Sequence, residues 1–292
     1  MVMIIVRLWG GLGNQLFQYS YALALSTRLN TELILDVSYY DKNKLRKPSI
    51  LNFNLENNIL TSDLNEVKLI RFYNLKIINK LIRLPAKCRI KMGKFTYYKE
   101  TRLKYNSYSY DNVTDNSYVD GYWQSEKYFS EIKPVLLRKF YLAIFKDANA
   151  YELIDKFSRL ESVAIHVRRG DYVSNRRISS RLKPLSVNYY KQAIENAKVA
   201  LKNPMFYFFT DDPEWVLKNI EEANEDNLVS KILSSSDIEE LILMSKCKHQ
   251  IIANSTFSWW SAWLNKNSGK KIWAPNIGWV NDDIKCDNWI LI

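Results

Sequence analysis

The sequence predicts an α/β protein whose sheets are parallel and doubly wound. Three features predict it. Residues 3–36 read as one strand–helix–strand unit. From residue 151 onward, short apolar runs alternate with helical stretches of ten or more residues. Polar residues gather where those runs end, at His166–Asp171, Asp211–Asp212 and Ser255–Ser258. Open α/β sheets bind ligands at the carboxyl ends of their strands, and such repetition is hard to obtain from solvated loops alone.

Length and composition set the frame. The 292 residues allow one large or two medium domains, and Lys146–Ala150 reads as the connection, giving domains 1–150 and 151–292. Hydrophobic residues make up 47% and charged residues 25%, which suits a soluble protein with a real core. Only 8 Gly and 7 Pro argue against a linker-rich chain. The aromatic set, 19 Tyr, 12 Phe and 9 Trp, suits cores and also sugar-stacking surfaces. Cys88, Cys247 and Cys286 lie far apart without CxxC spacing, so neither a disulfide framework nor a zinc site is expected. A reducing cytoplasm follows as the default. The opening MVMIIVRLWGG has too short an apolar run and no basic leader for a signal peptide. No window approaches a membrane span, so a soluble or peripheral protein is expected. Residues 41–104 hold 16 Lys and Arg against 5 acids, so the whole net charge of +11 belongs to that region.

The first half starts with a strand, Met3–Leu8, and a glycine-punctuated turn, Trp9–Asn14. A helix over Gln15–Leu29 follows, with Ser20, Ala22 and Ala24 permitting close packing, then a strand at Glu32–Asp36. The turn is not GxGxxG: Asn14 and Gln15 fall where that pattern needs no side chain, and the third glycine is absent. Asn14 and Gln15 can face a neutral polyol instead, because amides both donate and accept. Asn14 can equally cap the helix. Residues 40–62 read as loop with a short strand. From Asp63 a helix is predicted, with Glu66 at capping-box spacing. Ile70, Tyr73, Ile77, Leu81 and Leu84 mark its apolar face, Lys76, Lys80, Arg83 and Lys87 a basic one, and Pro85 its end. Such a helix either lies on an anionic membrane surface or packs on the core with its basic face solvated. No nucleic-acid-binding motif accompanies it. The stretch VDGYWQSEKYF (119–129) reads as a strand ending in an aromatic loop, where Tyr122 and Trp123 either stack on sugar faces or fill core. Lys133–Phe145 reads as a helix.

The second half opens on SVAIHVRRGDY (162–172), a buried strand that ends abruptly in charge and glycine. An exposed loop over 174–184 and a helix Val187–Leu201 capped by Ser186 follow. Next come a strand Met205–Thr210, a helix Glu214–Ala223, a strand near Val229–Leu233 and a helix Ile238–Ser245 capped by Ser236 and Asp237. A strand Gln250–Ala253 runs into Asn254–Ser258, which opens a helix containing Trp259, Trp260 and Trp263. A last strand, Lys271–Ala274, precedes Pro275.

These strand ends hold the parts of a nucleotide-diphosphate site. Arg168 and Arg169 offer donor forks to a phosphate or carboxylate. Thr256 and Ser258 add hydroxyls, and the helix they open adds backbone N–H groups and positive dipole. Asp237, at a helix start, either caps it or accepts hydrogen bonds from a base. Asp211 and Asp212 could bind a divalent metal, but adjacent aspartates diverge and an arginine can neutralise a leaving diphosphate by itself, so no metal is expected. His249 has no evident catalytic partner and reads as structural, and Asp282–Asp283 as a solvated turn.

HVRRGDY (166–172), GGLGNQLFQY (10–19), FFTDDP (208–213) and NSTFSWWSAWL (254–264), in that company, resemble the bacterial α-1,2-fucosyltransferases of glycosyltransferase family 11. The resemblance runs from about residue 5 to near the carboxyl end and is weakest over 40–120. The HxRRxD element is also similar to one shared by α-1,6- and protein O-fucosyltransferases. The resemblance implies a GT-B architecture, two Rossmann-like domains facing across a cleft. The first would be the acceptor side, with the basic helix as an insertion, and the second would bind the GDP-sugar. It implies inverting transfer of L-fucose from GDP-β-L-fucose to the 2-hydroxyl of a terminal galactose in an O-antigen or capsule precursor, without metal or cofactor. Arg168 would clamp the β-phosphate. His166 and Asp237 would lie by guanine or ribose, and Ser255, Thr256, Phe257 and Ser258 near the nucleotide and its diphosphate. Asn14, with Gly11 and Gln15 beside it, would reach the fucose or the acceptor. Asp171, Asp211 and Asp212 would order the arginine loop, Arg169 positioning Asp171. No convincing general base stands out, and Asp171 is the nearest carboxylate by sequence. A lipid-linked, galactose-terminated acceptor at the cytoplasmic leaflet would give residues 63–87 a docking role, with no nucleic-acid partner. Two other readings stay open: a transferase using a different nucleotide sugar, and a non-catalytic glycan-binding module.

Overall fold

The computed structural model describes residues 2–41, 46–53, 55, 57–60, 89–92, 94–101, 103–142, 144–174, 183–233 and 236–292. The basic helix expected over 63–87 lies outside the described residues, as do 175–182 of the loop expected at 174–184. The chain divides into two compact units, Met1–Lys139 and Phe140–Ile292. The division falls before the connection expected at Lys146–Ala150. The helix expected to run to Phe145 ends at Lys139, and a further helix, Asn149–Arg159, opens the second unit. That helix belongs there because Phe157 packs on Tyr207 at 4.6 Å and Ser162 Oγ donates to the Phe157 carbonyl at 2.8 Å.

Unit 1 contains β1 (Met3–Arg7), α1 (Leu12–Leu29), β2 (Glu32–Asp36), β3 (Asn58–Leu60), β4 (Arg89–Met92), β5 (Phe95–Lys99), α2 (Ser107–Asp111), β6 (Ser117–Asp120) and α3 (Lys133–Lys139). Its six strands order as β3-β2-β1-β6-β5-β4, parallel throughout except for the β4–β5 pair. Every residue of α1 from Gln15 to Ser26 is buried, as a helix apolar on all sides must be. Gly11, not Asn14, is its N-cap residue, and Asn30 ends it in the left-handed region at φ 50°. Asn14 stands inside the first turn. Trp123 is buried and stacks face to face on Tyr21, centroids 4.0 Å apart, so its fate is core rather than sugar.

Unit 2 contains α4 (Asn149–Arg159), β7 (Ser162–Val167), α5 (Gly170–Ser174), α6 (Val187–Ala200), β8 (Met205–Thr210), α7 (Pro213–Asn219), α8 (Val229–Ile232), α9 (Asp237–Met244), β9 (His249–Ile251), α10 (Thr256–Leu264), β10 (Ile272–Ala274) and β11 (Ile290–Leu291). Its sheet is wholly parallel, in the order β11-β10-β9-β7-β8. β7 is buried along its whole length, which explains its run of Val163, Ala164, Ile165 and Val167. Ser186 caps α6, whose Tyr189, Tyr190, Ala193, Ile194 and Ala197 pack against β7 and β8. Two expectations fail here. Val229–Leu233 is not a strand: beyond a single bridge from Leu228 to Phe208, the chain coils into α8. The Ser230 hydroxyl accepts from the Thr210 N–H at 2.8 Å, so a side chain takes the edge position that a strand would have filled. Lys271–Ala274 is not the last strand, because β11 pairs parallel beyond β10.

Trp123→Ala removes the largest ring of the Tyr21 stack and should lower the unfolding free energy by about 3–5 kcal/mol. Urea denaturation measures it; a loss under about 1 kcal/mol would place that ring outside the core.

Candidate active site

In unit 2 the chain leaves β7 for β8 on one side, while β9, β10 and β11 fill the other. The gap between β7 and β9 is therefore the topological switch point, where the loops after adjacent strands part and leave a crevice. Arg168 and Arg169 follow β7, and Ser255–Ser258 follow β9.

One carboxylate organises the β7 side. Asp211 Oδ2 lies 2.7 Å from Arg168 Nη1, and its Oδ1 accepts the Arg169 backbone N–H at 2.8 Å. Asp212 Oδ2 accepts from Arg169 Nε at 3.0 Å, and the Arg169 guanidinium lies 4.1 Å over the Trp215 ring. Asp212 also caps α7 through the Trp215 N–H. A Cβ on Gly170 would come within 2.7 Å of Asp211 Oδ2, so glycine lets the loop close onto that carboxylate. Arg169 is thus held by Asp212, and the pairing expected between Arg169 and Asp171 falls on a side chain outside the described ones. Both aspartates face guanidinium groups. Among the described residues no group of three or more His, Cys, Asp or Glu is gathered to hold a metal ion.

On the β9 side, His166 and Phe257 meet at 5.6 Å between ring centroids. His166 is buried, and its Nδ1 has no hydrogen-bond partner among the described residues. Burial, and then the Arg168 charge, push its pKa well below the ordinary imidazole value, so it is neutral at pH 7. Ser255 caps α10 by accepting the Phe257 N–H at 3.3 Å, and Thr256 and Phe257 are half-buried at the helix start. Ser258 departs from expectation. Its hydroxyl is fully buried, 3.2 Å from both the Ala253 and Ser255 carbonyls, because its place one turn into α10 turns it onto the backbone.

Asp237 is exposed at the first position of α9, which Ser236 caps in a reciprocal pair with Glu239. Glu240, three residues further on, is an acid whose carboxyl feels the Arg168 charge. Burial pushes its carboxyl up to about 7 against the pull of the Arg168 charge, while the Asp211 charge adds to the rise. The Ser230 hydroxyl lies 3.5 Å from its Oε1. Sequence reasoning missed Glu240. The available signal was a pair of acids, Glu239-Glu240, of which a capping box uses only one.

In unit 1 the corresponding switch point lies between β1 and β6. Asn14 is half-buried there, and its Oδ1 accepts from Gln124 Nε2 at 3.0 Å. Gly11 lies at the mouth of α1 beside Arg46. Gln15 does not face a ligand: fully buried, it donates to the Gly10 and Lys47 carbonyls and accepts from the Ile50 N–H. Its amide pins residues 47–50 to α1, a need created by a loop whose position sequence does not show. Among the described residues no helix is long and apolar enough to cross a membrane.

The sequence profile of glycosyl transferase family 11 matches residues 1–292. The chain is similar to an α-1,2-colitosyltransferase of Escherichia coli, 35% identical over 90% of this chain and 88% of that enzyme. It is 28% identical to the O-antigen biosynthesis glycosyltransferase WbnK of Escherichia coli, over 96% and 97% of the two chains. A galactoside 2-α-L-fucosyltransferase of Caenorhabditis elegans is 25% identical, over 94% of this chain and 72% of its own. Among solved structures, the α-1,6-fucosyltransferase NodZ of Bradyrhizobium, co-crystallised with GDP, shares the fold with a TM-score of 0.50 at 15% identity, covering 89% and 91%. The architecture is of the GT-B type.

Glu240 makes the pH dependence of stability testable. Its carboxyl holds a proton to about pH 7 in the folded protein, whereas the unfolded chain releases it near the ordinary value of about 4.3. Between those values the folded state binds more protons, so stability should fall as pH rises from about 4.3 through 7. Glu240→Gln should flatten that fall, read as urea midpoints at pH 5 and pH 8; an unchanged pH slope would show that Glu240 ionises without cost.

Proposed function

The chain belongs to glycosyltransferase family 11, and from that footing we propose inverting transfer of L-fucose from GDP-β-L-fucose to the 2-hydroxyl of a terminal galactose in an O-antigen or capsule precursor. The observation that carries the reading is the Arg168–Asp211 pair at the unit 2 switch point. As the bond from the anomeric carbon to the β-phosphate breaks, the nucleoside diphosphate departs and the sugar becomes oxocarbenium-like, so the largest electrostatic need is a fixed positive group at the departing phosphate. A guanidinium has five donors, enough to hold Asp211 and a phosphate together. Asp211 sets its angle in advance, which is what transition-state stabilisation requires.

The same reading assigns the other parts. Thr256 and the N–H groups opening α10 meet the diphosphate, with Ser255 shaping that turn. Ser258 has no direct part. Neutral His166 and Phe257 flank the nucleoside. Glu240 takes the role expected of Asp237, since a carboxyl facing the guanine edge accepts from its N–H donors. Arg169, fixed by Asp212 and Trp215, holds the loop, and Asp171 remains the carboxylate nearest the arginines in sequence. Arginine supplies the charge that a metal would otherwise supply, so the reaction is metal-independent in this reading. Asn14 serves the acceptor side.

A second reading is favoured by the relative named as an α-1,2-colitosyltransferase: transfer of colitose, which lacks the 3-hydroxyl of fucose. Kinetics with both GDP-sugars separate the two. A site built to hydrogen-bond that hydroxyl would reject the deoxy sugar by several orders of magnitude, and an apolar site would not.

Arg168→Ala should cut kcat by about 100-fold or more with the fold intact. Release of GDP in the presence of lactose measures it, and near-normal turnover would remove the central assignment. Titration with GDP, UDP and dTDP should show tightest binding for GDP; preference for a pyrimidine nucleotide would end the fucose and colitose readings together.

A further inference from the structure

The unit 1 switch point carries a feature that donor chemistry does not use. Aromatic side chains stand there in the order of the strands they follow. Tyr39 and Tyr40 come after β2, Trp9 after β1 and Tyr122 after β6. The Trp9 ring centroid lies 4.3 Å from that of Tyr122 and 6.5 Å from that of Tyr39, which is 5.1 Å from Tyr40. All four side chains are half-buried.

The row is built from beneath. Gln18, fully buried on α1, accepts the Trp9 N–H at 3.0 Å and donates to the Trp9 carbonyl at 3.3 Å. Glu100, just past β5, accepts the N–H groups of Tyr122 at 2.6 Å and Trp123 at 3.2 Å. A Cβ on Gly121 would come within 2.4 Å of the Glu100 Cβ, so glycine is needed for that close approach. Trp123 then turns through φ +55°, which sends its ring into the core while Tyr122 stays with Trp9. Neutral polar groups adjoin the rings: the Asn14–Gln124 amide pair at 3.0 Å, and the Tyr40 hydroxyl, which donates to the Gly10 carbonyl at 3.0 Å. The acids below already have partners, Asp120 in Arg7 and the Tyr97 hydroxyl, Asp36 in the Tyr118 hydroxyl and the Ser38 N–H. Arg46, beside Gly11, adds a donor at the rim.

We propose that Tyr39, Trp9 and Tyr122 form the subsite for the acceptor glycan, with at least two neutral pyranose units lying along the row. The inference rests on the glycosyl-transfer reading and deepens it. Pyranose rings present apolar C–H faces bordered by hydroxyls, which suits aromatic rings bordered by amides that donate and accept. A row of three rings exceeds what one pyranose covers, so recognition extends past the sugar that receives the transfer. A nucleotide does not suit it: the paired arginines that match a diphosphate belong to unit 2.

Kinetics with the accepted GDP-sugar, using lactose and methyl β-D-galactopyranoside as acceptors, test it. Trp9→Leu and Tyr122→Leu should raise the lactose KM about tenfold or more and narrow its advantage over the monosaccharide, with GDP affinity by calorimetry unchanged. Trp9→Phe should recover most of the loss. Where Trp9→Leu lowers the melting temperature, Tyr39→Leu, at the end of the row, should still weaken lactose selectively. An unchanged lactose KM in these variants, or a parallel loss of GDP affinity, overturns the proposal. A wild-type protein that binds no GDP fails earlier, and takes the transfer reading down with the subsite.

Discussion

Asp211 is the constraint on which the second unit's site depends. It stands just past β8, and its two oxygens take the Arg168 side chain and the Arg169 backbone from the end of neighbouring β7. One carboxylate therefore ties two strand ends together and aims a guanidinium over the crevice. The pair is partly exposed, so its Coulombic contribution to stability is small and geometry is its principal product. Gly170 is demanded by the same contact, and Asp212 repeats the arrangement one residue on with Arg169 and Trp215.

That arrangement also divides the two arginines. Arg169 is gripped by a carboxylate, a ring face and its own backbone bond, a set that suits a loop anchor. Arg168 is held by Asp211, and its charge is felt by His166 and Glu240. Burial, and then that charge, keep His166 neutral, and the same charge opposes the burial that raises the Glu240 carboxyl. A neutral imidazole beside an aromatic ring and a carboxyl tuned near neutrality suit a base-and-ribose environment, as the fixed cation suits a phosphate.

Unit 1 solves a different problem with the same topology. The ends of β2, β1 and β6 carry Asp36, Arg7 and Asp120; Arg7 pairs with Asp120, and the Tyr97 and Tyr118 hydroxyls donate to Asp120 and Asp36. With those acids hydrogen-bonded below, the loops above present rings and amides. The buried glutamines of α1 brace those loops, Gln15 against residues 47–50 and Gln18 against Trp9. A helix that is apolar in outline thus uses its few amides as internal fasteners, each satisfied as burial requires.

Much of this was legible in the sequence. The βαβ start, the strands at Met205–Thr210 and around Ile165, and the polar strand ends all follow from local periodicity and turn chemistry, and the four motifs marked the family. Val229–Leu233 shows the limit: its apolar residues suit a strand, but the Ser230 hydroxyl occupies the edge of β8 and the chain coils instead. Gln15, Ser258 and Asp237 show it at the site. Each has the chemistry of a ligand contact, yet two are turned onto backbone and one stands at an exposed helix start, while the more buried Glu240 feels the Arg168 charge. Sequence determined which chemical groups arrive at the strand ends, because those follow from the local order of residues. Only tertiary structure decided which of them face the crevice, because a side chain's direction depends on which neighbouring element has already claimed its hydrogen bonds.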